Sequence, residues 1–86
     1  MKLFGRIVKD TKTVKDALAE NNDDTAAFRD RLEECFISLC AELDVPVPLW
    51  LKKNTKEFAA YRRTFFTPEQ FLEEVTFDRL EIRVET

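Results

Sequence analysis

Between Trp50 and Phe66 the chain interleaves cations with aromatic rings. Lys52, Lys53, Lys56, Arg62 and Arg63 fall among Trp50, Phe58, Tyr61, Phe65 and Phe66. Cations that meet phosphates, beside rings that stack on bases, are the chemistry of single-stranded nucleic-acid binding. The same residues have a plainer use. A small domain needs Trp50, Phe58 and Phe65 or Phe66 to fill its core, with Lys and Arg covering the outside. A general nucleic-acid binder carries a basic total, whereas this chain has a formal net charge of −3. Nucleic-acid binding through Lys52, Lys53, Lys56, Arg62 and Arg63 therefore stands as the alternative reading.

Other chemistries fare worse. The carboxylate pairs Asp23-Asp24, Glu33-Glu34 and Glu73-Glu74 are adjacent in sequence, and neighbours on a helix diverge rather than converge on a cleft. Asn22, Asp23 and Asp24 lack the alternating ligands, central Gly and distant Glu of a calcium loop. The chain has no His, one Gly and two Cys. That removes the commonest general base, rules out a glycine-rich phosphate loop and leaves a structural zinc site short of ligands. Ser38, Cys35 and Cys40 share one apolar helix with no base among them, so no activated nucleophile can be drawn. We expect no enzyme, no cofactor and no metal.

Cys35 and Cys40 lie five apart, a rotation of ~140° on a helix, so the two thiols cannot bridge without unwinding it. Buried thiols in a reducing compartment are expected. Charge interrupts the apolar residues of Met1–Lys9 every few positions, so no signal-peptide core is present there. No apolar run approaches the ~18 residues of a membrane span. The expected location is the cytoplasm.

These groups must be positioned by 86 residues, which is one domain over 1–86 with a net stability of about 4–13 kcal/mol. Apolar residues make up 44% of the chain and charged residues 36%, a balance that excludes a disordered tail. The charge comes in blocks: +2 over 1–20, −5 over 21–45, +4 over 46–67 and −4 over 68–86. Neighbouring elements can attract one another, though exposed pairs contribute only ~0–1 kcal/mol each.

Residues 2–8 alternate as a strand, with Leu3, Gly5 and Ile7 on one side and Phe4, Arg6 and Val8 on the other. A turn at Asp10-Thr11-Lys12 leads into 13–19, where helix spacing and a return strand compete; the hairpin is favoured because it gives the first strand a neighbour. Asn21–Asp24 is a loop. Asp24 or Thr25 caps a helix running from Thr25 to about Leu43, with Phe28, Leu32, Cys35, Phe36, Leu39 and Leu43 as its apolar stripe. Ile37 projects ~180° from Phe28, flanked by Ala26, Cys40 and Ala41. It is either simply exposed or part of a second buried face.

Pro46 and Pro48 end that helix, and Leu49-Trp50-Leu51 is expected to plug the core. Asn54 with Glu57 has the form of a capping box for a short helix through Tyr61 or Arg62. Thr67-Pro68-Glu69-Gln70 has the same form for a second short helix to about Val75. The chain closes on a strand with Leu80, Ile82 and Val84 inward and Arg79, Glu81, Arg83 and Glu85 outward. The fold class is α+β: a small antiparallel sheet of about three strands packed against one long helix, with two short helices before the C-terminal strand.

The stretch Trp50-Leu51-Lys52-Lys53-Asn54, with Glu57-Phe58, Arg63-Thr64-Phe65-Phe66, Gln70-Phe71 and Phe77-Asp78-Arg79, joins the opening Leu3–Asp10 in a further observation. Over nearly the whole chain it resembles small uncharacterised bacterial proteins of about this length. The resemblance implies a bacterial cytoplasmic origin and brings no activity, ligand or partner. The leading functional reading comes from the residues themselves: a non-enzymatic interaction domain that binds another protein or a second copy of itself. The contact residues expected are Ile37, Cys40, Trp50, Phe65 and Phe66, because the chain holds more large apolar groups than one small core readily buries.

Overall fold

The structure, a computed structural model, describes residues 1–85. Strand β1 (Lys2–Lys9) turns through Asp10 and Thr11 into β2 (Lys12–Glu20), so residues 13–19 are the return strand of a hairpin. Both turn residues have positive φ, 53° and 65°, the backbone that matches the right-handed twist of paired strands. Neither is a glycine. Asp78 compensates, its Oδ2 accepting from the Asp10 amide at 2.8 Å.

Helix α1 (Phe28–Leu43) follows. It starts three residues later than expected, because Asp23 holds Thr25 in a local turn instead: Asp23 Oδ1 accepts from the Thr25 amide at 3.0 Å and its hydroxyl at 2.6 Å. Ala27 occupies the cap position without a side-chain bond. The helix ends as expected at Leu43, and Lys15 of β2 donates to the Leu43 carbonyl at 3.2 Å, a cation at the negative end of the helix dipole.

Helix α2 (Lys52–Tyr61) begins two residues before the expected cap. Asn54 is not the cap but the third helical residue, and its side chain reaches back to the Leu51 amide at 2.9 Å. Arg62 then takes a left-handed conformation, φ 59°, and turns the chain directly into β3 (Arg63–Phe66). This strand is the fourth of the sheet and was not expected. Thr64 and Phe66 point inward, Arg63 and Phe65 outward.

The second expected short helix is a single 3-10 turn, Pro68–Gln70. Gln70 Oε1 accepts from the Thr67 amide at 3.1 Å as the capping box requires. The helix cannot continue, because the Gln70 carbonyl accepts from the Leu49 amide at 2.7 Å and is lost to the next turn. Strand β4 (Arg79–Glu85) closes the chain with the alternation read from its sequence.

The sheet is antiparallel throughout, in the order β2-β1-β4-β3. Its inner face brings Leu3, Ile7, Ala19, Phe66, Leu80, Ile82 and Val84 against Cys35, Phe36, Leu39, Cys40 and Leu43 of α1 in one core. Phe58 of α2 and Phe71 belong to the same cluster. Of the expected plug only Trp50 packs on it; Leu49 and Leu51 are nearly half exposed.

Candidate interaction surface

Helices α1 and α2 do not close on one another. Between them lies a groove of about 890 Å³, lined by Phe28, Leu32 and Ile37 of α1, by Val47 and Trp50 of the connection, and by Phe58 of α2. Its position follows from how α1 is rotated. The buried residues are Cys35, Phe36, Leu39, Cys40 and Leu43, so the stripe is centred closer to Cys40 than the sequence spacing suggested. Phe28, at the uncapped first turn, stays 47% exposed and Ile37 50% exposed.

The groove floor is aromatic. Phe36 stacks on Phe66 at 5.2 Å between centroids, and Trp50 meets Phe36, Phe58 and Phe66 at 5.5 to 5.7 Å. Trp50 donates its Nε1 hydrogen to Thr55 Oγ1 at 2.9 Å, which fixes the ring edge-on with its polar corner satisfied. The rim carries Arg29 and Arg62 against Glu33.

The five expected contact residues do not form one patch. Ile37 and Trp50 share the groove. Cys40 and Phe66 are core residues, each 0% exposed, and offer nothing to a partner. Cys40 sits four residues after Phe36, ~40° around the helix, so it belongs to the flank of the buried stripe rather than to the face opposite it. Phe65 lies on the outer face of the sheet with the Lys53 ammonium 5.3 Å from its ring centroid. Phe28, Leu32, Val47 and Phe58 also line the groove without being among the expected contacts; the spacing of Phe28 and Leu32 places them on the core stripe.

The basic block is likewise divided. Arg62 lies on the groove rim, Arg63 on the outer sheet face, and Lys52, Lys53 and Lys56 are exposed along α2.

What holds α2 beside the groove is a buried polar cluster. Asn54 Nδ2 donates to Thr64 Oγ1 at 2.8 Å and to the Phe65 carbonyl at 3.0 Å. Its Oδ1 accepts from Gln70 Nε2 at 3.0 Å as well as from the Leu51 amide. Thr64 passes its hydroxyl hydrogen to Glu57 Oε1 at 2.6 Å, and Gln70 also donates to the Leu49 carbonyl at 3.0 Å. Helix, strand and 3-10 turn thus converge on one side chain.

The thiols are poor candidates for chemistry. Burial pushes the Cys40 thiol up to about 11 and raises Cys35 as well, the opposite of an activated thiolate. Among the described residues no group of three or more His, Cys, Asp or Glu side chains is placed to hold a metal ion.

The Cys40 shift has a measurable consequence. An unfolded thiol ionises from about pH 9 while the folded one keeps its proton to about 11. Unfolding therefore releases a proton in that window, and stability falls as pH rises through it. Urea unfolding between pH 8 and 11 should show a steeper alkaline decline for the wild type than for Cys40→Ala, whose absolute stability is lower throughout. Equal slopes would show that Cys40 ionises alike in both states.

No helix of the described residues is long and apolar enough to cross a membrane. No family model, curated protein or solved structure matches this chain.

Proposed function

We propose that this protein is a non-enzymatic, cytoplasmic interaction domain, and that the groove between α1 and α2 takes an apolar segment of another protein. The observation that carries this reading is the placement of Phe28, Ile37 and Val47, each about half exposed, around an aromatic floor. Isolated exposed apolar residues are ordinary, but a contiguous set lining a concavity marks a contact site. A groove with one helix on each side suits an amphipathic helix, with anchors at i, i+3 or i+4, and i+7. The rim, with two arginines to one glutamate, favours a partner segment flanked by acidic residues.

Absence of catalysis rests on the chemistry already described: no histidine, raised thiols and no converging carboxylates. The cytoplasmic reading rests on two buried, unpaired cysteines.

The reading is tested by a photo-crosslinking side chain placed at position 37, with position 12 at the far edge of the sheet as control, in the protein's own cell. A discrete adduct from position 37 alone is expected, its added mass identifying either another protein or a second copy. Ile37→Glu should abolish that association while leaving the circular dichroism and melting curve of the free protein within experimental error. Capture of the same partner by Ile37→Glu as by wild type would remove the groove from consideration.

A further inference from the structure

On the opposite side of the sheet, at its β3–β4 edge, lies a shallow depression of about 660 Å³ that the groove reading does not use. Arg63 and Arg83 stand directly opposite one another across the β3–β4 ladder. Like charges in that position oppose folding. The chain retains them while supplying little to neutralise them. Glu81, in the same depression, is already held by Arg6 at 2.7 Å and Arg79 at 2.5 Å. Burial would raise its carboxyl, yet hydrogen bonds from Arg79 and Arg6 outweigh this and hold it below the usual range. It stays ionised at neutral pH and committed to those two partners. Glu57 accepts from Thr64. Arg83 reaches only Glu85 at 3.1 Å, both side chains about half exposed, and Arg63 has no ion-pair partner among the described residues.

Rings surround this excess of positive charge. The Arg83 guanidinium lies 4.8 Å from the Phe4 centroid, Phe65 is 38% exposed, and Tyr61 at the α2 end of the depression is 69% exposed. Arginine pairs alone would suit any anion. Lys53 lies 5.3 Å from the Phe65 centroid, so Phe4 and Phe65 each already hold a cation against one face while Tyr61 stands open; cations set among rings on a shallow sheet suit an anion that also carries flat rings. A duplex hides its base faces and cannot use them, whereas a single strand presents them.

We propose that this outer face, centred on Arg63, Arg83 and Phe65, binds single-stranded nucleic acid, with the two arginines on phosphates and the rings stacked on bases. This places the contact on the sheet rather than along Lys52 and Lys56 of α2, with Lys53 at its edge over Phe65, and it is independent of the groove.

The test is fluorescence anisotropy of a labelled oligo(dT) of about ten nucleotides, titrated with the intact protein over a range of salt. With two to three phosphates neutralised, log K should fall against log salt with a slope of about −1.4 to −2. Arg63→Glu and Arg83→Glu should each weaken binding roughly tenfold or more, and Phe65→Leu, which keeps an apolar group on the strand, roughly fivefold. Ile37→Glu should leave binding unchanged, which separates this face from the groove. No saturable binding by the wild type at low salt would overturn the proposal. So would a loss caused by Lys52→Glu but not by Arg63→Glu. Equal competition by pyrophosphate or by an acidic peptide, with Phe65→Leu indistinguishable from wild type, would reduce the face to a plain anion patch and overturn it too.

Discussion

Replacing Asn54 with alanine should lower the unfolding free energy by about 3–5 kcal/mol, read as a shift of the urea midpoint at unchanged slope. The side chain is fully buried and uses both amide hydrogens and two acceptor positions, so no part of its hydrogen-bonding capacity is idle. Alanine leaves the Leu51 amide and the Phe65 carbonyl without their partner and strips Gln70 and Thr64 of one bond each. A buried polar group left unmade costs about 1–3 kcal/mol, and the terms are not additive because the elements relax together. Against a total near 4–13 kcal/mol the loss is a large fraction. Leucine, close to Asn in size, should do no better, since it removes the same four bonds. Because α2 is one wall of the groove, Asn54→Ala should also weaken any partner that docks there, even at temperatures where the domain stays folded. A loss under about 1 kcal/mol would show that water replaces the amide without penalty and that the cluster does not hold α2 in place.

The contrast between what the sequence reveals and what it hides is sharpest around this cluster. Strands β1 and β4 and the end of α1 were legible because each depends on local pattern: alternation with one wet face, or an apolar stripe ended by prolines. Strand β2 has no decisive pattern of its own and is legible only through the need of β1 for a neighbour. The α+β class follows from those elements. Strand β3 was not legible. Four residues beginning one residue after a helix carry too short an alternation, and the inward position that would reveal it is Thr64, a polar residue buried only because Asn54 and Glu57 receive it. The 3-10 turn carries the sequence signature of a longer helix for a related reason. Its capping box is present, but the Gln70 carbonyl needed for the next turn is taken by Leu49, 21 residues away in sequence. Tertiary hydrogen bonds override local signals in both places.

The candidate sites show the same division. Ile37 was visible as an apolar residue off the stripe, and at 50% exposure it is not buried by the rest of its own chain. Cys40 and Phe66 were indistinguishable from contact residues by composition, since large apolar groups serve cores and interfaces alike. The pairing of Arg63 with Arg83 could not be anticipated at all, because it exists only in a register that includes β3.

The one glycine of the chain illustrates why register carries so much. Among the described residues four that are not glycine, Asp10, Thr11, Asp44 and Arg62, take positive φ, whereas Gly5 does not and lies in the middle of β1. Its lack of a side chain serves a close approach. A Cβ at position 5 would lie 2.6 Å from Leu39 Cδ2 and 3.1 Å from Leu39 Cγ. Leu39 is fully buried in the C-terminal half of α1, so it has no solvent to swing into. Gly5→Ala should therefore destabilise by about 1–3 kcal/mol through overpacking, net of the smaller gain from a stiffer unfolded chain. Leu39→Ala alone should cost about 2–5 kcal/mol by opening a cavity. The double variant should cost less than the sum of the two by about 0.5–3 kcal/mol, because the new methyl group enters the space that Leu39 vacates. Urea denaturation of the four proteins in that cycle measures the coupling. Strict additivity would mean that helix α1 stands off the sheet at Gly5 by more than this packing allows, and would place the long helix, with Phe28 and Ile37 on it, in a different register over β1.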